Sequence, residues 1–136
     1  MQTTTKIFVI LVFLLSTAIY ADQPSAYTEK NLNVSVQSSH PQFEIKLHSN
    51  ATTGYSWFLR KYNSQLLEPV KHVYQAPESK KGLVGAPGYE IWTFRMKPAS
   101  FVVPQKTTIR FVYARPWESA GTSETQLVFN VTTRKS

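Results

Sequence analysis

The stretch Glu90-Ile91-Trp92-Thr93-Phe94-Arg95-Met96 sets Trp92, Phe94 and Met96 at every second position. A spacing of two gathers large apolar side chains on one face of an extended chain, whereas a helix would spread them around its axis. The same alternation recurs on both sides of this stretch. Upstream it appears in Leu32, Val34 and Val36, and again in Phe43, Ile45 and Leu47. Downstream it appears in Ile109, Phe111 and Tyr113, within Thr108 to Tyr113, and in Leu127, Phe129 and Val131, within Gln126 to Thr132. Tyr55 to Leu59 is aromatic-rich without helical spacing, and Val70 to Tyr74 is a weaker run ahead of Pro77.

These seven runs are β-branched or aromatic, and Pro, Gly, Asn and Ser break the chain between them. Nothing reads as an amphipathic helix beyond a short helical turn near Ser64 to Leu67. Short alternating strands with frequent turns predict an all-β, immunoglobulin-like antiparallel β-sandwich of about seven strands, with a small barrel as the alternative. Asp22 to Glu29 reads as a loosely held polar lead-in.

Residues 1–21 have a different character. Lys6 is their only charge, Ile7 to Leu15 is unbroken apolar sequence, and the small residues Ser16, Thr17 and Ala18 follow before Ala21. A positive start, an apolar middle and a small residue at the cut describe a secretory signal peptide. The apolar run falls short of the roughly 20 residues a membrane span needs. The expectation is an exported protein, periplasmic or extracellular, cleaved after Ala21 and free of the membrane thereafter. Residues 22–136 then form one domain, large enough to bury roughly two thirds of its unfolded surface. The chain has no cysteine, so packing rather than disulfides must hold that domain, and thiol chemistry is excluded. The net charge is +7, and Lys6 leaves with the signal. The remaining cations are scattered along the sequence, with no basic stripe of the kind that marks nucleic-acid binding.

Three segments between strands carry the chemistry of shaped, exposed loops. In Asn50-Ala51-Thr52-Thr53-Gly54-Tyr55, Asn50 can start a turn by bonding its own backbone, and Gly54 can take a left-handed conformation. Thr52 and Thr53 present stiff, β-branched hydroxyls between them. The segment around Gly85-Ala86-Pro87-Gly88 exposes backbone that another chain could bond, and its glycine spacing matches no phosphate-binding loop. In Arg115-Pro116-Trp117-Glu118, Pro116 stiffens the chain, and Arg and Trp are frequent interface anchors.

In this order the three segments resemble the chagasin-like family of papain-type cysteine-peptidase inhibitors. The family pattern is an Asn-Pro-Thr-Thr-Gly-aromatic loop, a glycine-rich loop and an Arg-Pro-Trp loop. This chain carries Asn50, Thr52, Thr53, Gly54 and Tyr55 of the first, Gly85 and Gly88 of the second, and Arg115, Pro116 and Trp117 of the third. The similarity spans roughly Asn31 to Arg134. The resemblance implies an immunoglobulin-like fold and a wedge of three loops that blocks a papain-family cleft reversibly and competitively, with no cofactor. Thr52 would lie against the catalytic cysteine and histidine. The middle loop would run along the substrate-binding backbone. Trp117 would stack on the enzyme, with Arg115 adding polar contacts, and a monomer suffices. Ala51 stands where the family has proline, which implies a less preorganised first loop. Ala86-Pro87 replaces glycine found in some members.

An enzyme is a poor alternative. Asp22 is the only aspartate and lies at the mature N-terminus, and His40, His48 and His72 have neither triad nor zinc spacing. The other alternative is a secreted sandwich that binds carbohydrate or a cell-surface protein through Trp57, Trp92 and Trp117, although the first two sit inside alternating strands. Glycosylation sequons begin at Asn33, Asn50 and Asn130. A glycan on Asn50 would obstruct the wedge, so Asn50 is expected to be unmodified.

Overall fold

The computed structural model describes residues 23–78, 86–118 and 125–136. The expected signal segment, residues 1–21, and Gly85 lie outside the described residues. The strands form two four-stranded sheets. The first has the order β1-β3-β6-β5 and contains β1 (Ser25–Thr28), β3 (Gln42–Ser49), β6 (Gly88–Met96) and β5 (Leu67–Gln75). The second has the order β2-β8-β7-β4 and contains β2 (Asn33–Gln37), β8 (Thr125–Arg134), β7 (Lys106–Ala114) and β4 (Ser56–Lys61). All seven expected runs are strands. Single 3-10 turns occur at Ala51–Thr53 and Pro98–Phe101, and a hydrogen-bonded turn follows Asn63 where a helical turn was expected.

The N-terminal segment departs from expectation. Ser25–Thr28 is a strand, not a loose lead-in, and it pairs in parallel with β3. The chain then turns at Asn31, whose N–H donates to the Thr28 carbonyl, and continues as β2 in parallel with β8. One N-terminal strand is thus divided between the two sheets, which makes the sandwich eight-stranded and not wholly antiparallel. Tyr27 fastens the division: its hydroxyl donates to the Ser35 carbonyl and accepts from the Ser35 N–H. Backbone pairing holds β1, and only its last two residues are even half-buried, so it has no apolar alternation to reveal it.

The alternating residues meet between the sheets. Phe43, Phe94, Phe111 and Phe129 form a continuous aromatic chain from β3 through β6 and β7 to β8, with ring centroids 5.6, 6.2 and 6.1 Å apart. All four are buried, and each stabilises the fold by roughly 1.5–3 kcal/mol. This rigid block fixes where the strands end. Ser49 pairs with Gly88, Gln75 with Tyr89, Ser56 with Ala114 and Tyr113 with Thr125. The β3–β4, β5–β6 and β7–β8 connections therefore all leave the sandwich at the same end.

Candidate functional site

The β3–β4 connection is a capped turn. Asn50 is extended, and its side-chain oxygen accepts from the Thr52 N–H at 3.2 Å and from the Thr52 hydroxyl at 2.6 Å. The Thr53 hydroxyl donates to the Asn50 carbonyl at 2.7 Å. Both threonines stay exposed, but their hydroxyls are directed back into the turn. Gly54 closes the turn with φ +77°. These bonds organise the loop although Ala51 stands in place of proline.

The β7–β8 connection leans on this turn. The Trp117 ring lies so close to Gly54 that a Cβ there would sit 2.5 Å from its Cη2 atom. Trp117 is nonetheless 71% exposed, so its other surface faces outward. Arg115 joins the two loops. Its Nε donates to the Thr53 carbonyl at 3.0 Å, its Nη1 meets Glu118 at 3.0 Å, and its guanidinium lies 4.4 Å from the Tyr55 ring centroid. Tyr55 stacks on Tyr113, whose hydroxyl accepts from the Asn50 N–H. Arg115 is thus a clamp within the tip, and at least two of its donors are used there. A lysine keeps the charge but cannot bridge a carbonyl and a carboxylate with one planar group. We expect Arg115→Lys to weaken binding to the site's target about tenfold with little loss of fold stability, as measured by a binding titration beside thermal melting. Lysine matching the wild type would reduce Arg115 to a simple charge.

Beneath the tip lies a buried carboxyl group absent from the expected site. Glu90 is 3% exposed. Its Oε1 accepts from the Ser49 hydroxyl at 2.7 Å and from the Trp57 N–H at 3.0 Å, and its Oε2 lies 2.9 Å from His72 Nε2. Ser49 and Trp57 flank the capped turn, so one side chain holds both of its ends. His72 stacks on Trp92 with centroids 3.8 Å apart. Glu90 shares the parity of Trp92, Phe94 and Met96. That is the sequence signal for it: a charged residue at an inward position of an apolar strand.

The middle connection is described only in part. Ala86 and Pro87 lead into β6, and Gly85 lies outside the described residues. Gly88 is not exposed backbone. It is buried at the start of β6, paired with Ser49, where an added Cβ would fall 2.4 Å from the Gln75 carbonyl oxygen and 2.6 Å from the Tyr74 hydroxyl. Its lack of a side chain serves the close approach of β5 and β6. Asn50, Thr52, Thr53, Gly54, Tyr55, Arg115, Pro116 and Trp117 are brought together into one tip. Trp57 is core, as its strand position implies, and its indole N–H donates to the His48 carbonyl. The three histidines are exposed.

Residues 37–132 match the chagasin family peptidase inhibitor I42. The chain belongs to the chagasin family. It is therefore an inhibitor and not an enzyme. Amoebiasin-2 of Entamoeba histolytica is 30% identical over 122 residues, covering 89% of this chain and 94% of that protein. The crystal structure of the cysteine protease inhibitor EhICP2 from Entamoeba histolytica superposes with a TM-score of 0.64 at 24% identity, covering 81% of this chain and 95% of that one. PbICP-C, solved in complex with falcipain-2, gives a TM-score of 0.51 at 22% identity over 82% and 91% of the two chains. The chagasin-like segments at the end of the sandwich thus belong to a chagasin-family domain with the sandwich fold of these relatives.

Proposed function

We propose that this chain is a reversible, competitive inhibitor of papain-type cysteine peptidases, with the Asn50–Tyr55 turn entering the active-site cleft and Trp117 packing beside it. One observation carries the reading: the capped turn and the Arg115–Trp117 segment interlock into a single exposed tip at the end of a rigid sandwich. A tip ordered before encounter loses little entropy on binding. The turn presents no extended peptide in a cleavable register, so a blocked cleft is released intact. The middle connection, leaving the same end, runs alongside the cleft. The likeness to a cysteine protease inhibitor, and to a relative captured with falcipain-2, supports this target class. Export with cleavage after Ala21 completes the proposal, and one copy presents the whole tip.

Titrating papain with residues 22–136, beside a serine peptidase as control, tests the reading. Dose-dependent, reversible loss of papain activity alone is the expected result. Unaffected papain at micromolar protein, with the fold intact by circular dichroism, would reject papain as a target. Trp117→Ala removes the largest exposed side chain of the tip and should raise the inhibition constant by about a hundredfold, in the range of an interface anchor. Arg60→Ala, in β4 away from the tip, should change it less than threefold. Equal effects would remove Trp117 from the interface.

A further inference from the structure

The two sheets differ in charge. The strands of the second sheet contain Arg60, Lys61, Lys106, Arg110 and Arg134 and no Asp or Glu. Those of the first balance Glu44, Glu68 and Glu90 with Lys46, Lys71 and Arg95. Alternation turns Lys106, Thr108 and Arg110 outward, opposite the buried Ile109 and Phe111. Lys61 pairs directly with Arg110 across β4 and β7, an arrangement of like charges that disfavours the sheet. Among the described residues, Lys61, Lys106 and Arg110 form no ion pair that would offset it.

Two shallow hollows adjoin on this side of the molecule. One, of about 440 Å³, lies between the Lys61–Gln65 turn and Thr107-Thr108. The other, of about 360 Å³, shares Thr107 and Thr108 and extends past Lys106 to Asn130 and Thr132. Together they form a groove with hydroxyl and amide groups along its length. The Lys61–Arg110 pair and Lys106 stand about 13 Å apart along β7, at the usual rise per residue.

We propose that this groove is a second binding site, which takes a linear sulfated polysaccharide. Thr, Asn and Gln side chains match sugar hydroxyls, and cations at intervals match sulfates. The groove offers one aromatic ring, Tyr62, rather than the row that stacks nucleic-acid bases. It has no apolar wedge for a bilayer. Its position also separates it from the inhibitory tip, since Lys106 begins β7 and Ala114, which leads into Arg115, ends it. Polysaccharide and peptidase can therefore be held together, which would retain the inhibitor on an anionic matrix while its tip stays open.

The test is binding of a heparin octasaccharide in 0.15 M salt, where exposed charges more than about 8 Å apart are largely screened. Lys61→Gln with Lys106→Gln should weaken binding at least tenfold, while Lys46→Gln with Lys71→Gln, which lowers the charge equally on the other sheet, should weaken it less than threefold. Papain inhibition by the first pair should match the wild type, so this result stands whether or not the tip behaves as proposed. Equal losses in the two pairs would show that net charge alone is responsible and overturn the site. Binding to phosphatidylserine vesicles or single-stranded DNA without binding to the octasaccharide would overturn it too. Melting curves verify that each variant is folded, and Lys61→Arg with Lys106→Arg should restore binding.

Discussion

Gly54→Ala should weaken papain inhibition by between about tenfold and a hundredfold while the sandwich stays folded. Two costs combine at this residue. The first is conformational: at φ +77° an L side chain costs roughly 1–2 kcal/mol. The second is steric: the new Cβ would lie 2.5 Å from Cη2 and 3.2 Å from Cζ2 of Trp117, so the ring must leave its place. Each 1.4 kcal/mol corresponds to about a factor of ten in affinity. The exposed turn can swing outward to relieve both, so the melting temperature should fall by no more than about 3 °C, less than 1–2 kcal/mol of global destabilisation would produce. A double-mutant cycle separates the costs. With Trp117→Ala already present the steric component is gone and only the conformational one remains, so the two substitutions should be coupled by more than about 0.5 kcal/mol. Strict additivity would mean that the loops contact the peptidase independently and that their packing has no role in inhibition. Wild-type inhibition by Gly54→Ala would reject the interlocked tip altogether.

The apolar alternation made the sandwich legible because burial between two sheets demands it. Phe43, Phe94 and Phe129 are each flanked by polar or exposed residues, and each is core. Where a strand is held mainly by backbone pairing, that signal weakens. Ser25–Thr28 offers only Tyr27 as a clue, whose ring meets Phe43 edge-on while its hydroxyl bonds Ser35 on another strand. The loop residues were legible as turn formers, since Asn50 and Gly54 do what Asn and Gly do at turns generally. Their mutual arrangement was not. Nothing in the spacing of Arg115 and Thr53 says that a guanidinium will bond that particular carbonyl, and a reading of Arg115 as a contact for the enzyme passed over its use as a clamp. Gly88 differs from the sequence expectation for a similar reason. A glycine beside Pro87 suggests an exposed loop, whereas the close approach of Tyr74 and Gln75 makes it part of the sheet. Charge was the least legible feature. Cations scattered along a β sequence fall on one sheet or the other according to strand order, and that order brings Lys61 beside Arg110.

Glu90→Ala should be the most destabilising single change near the tip, and it should weaken inhibition without touching the enzyme. Removing the carboxyl group leaves the buried Ser49 hydroxyl and the Trp57 N–H without their acceptor, at about 1–3 kcal/mol for each buried group left unpaired. A total of about 3 kcal/mol corresponds to a fall in melting temperature of more than about 12 °C for a domain of this size. Because Ser49 and Trp57 stand on either side of the capped turn, the loss also loosens both of its ends, and the inhibition constant should rise about tenfold. Glu90→Gln distinguishes hydrogen bonding from charge. Its amide oxygen can still accept from Ser49 and Trp57, and its amide N–H can donate to an unprotonated His72 Nε2. The glutamine variant should therefore lose less than about 1 kcal/mol and inhibit within threefold of the wild type. If glutamine proved as damaging as alanine, the charge at Glu90 rather than its acceptor geometry would hold the turn, and His72→Ala should then reproduce the defect. If alanine lowered stability but left inhibition unchanged, the capped turn would be held from above, by Asn50, Arg115 and Trp117, and the buried carboxyl group would serve the sandwich alone.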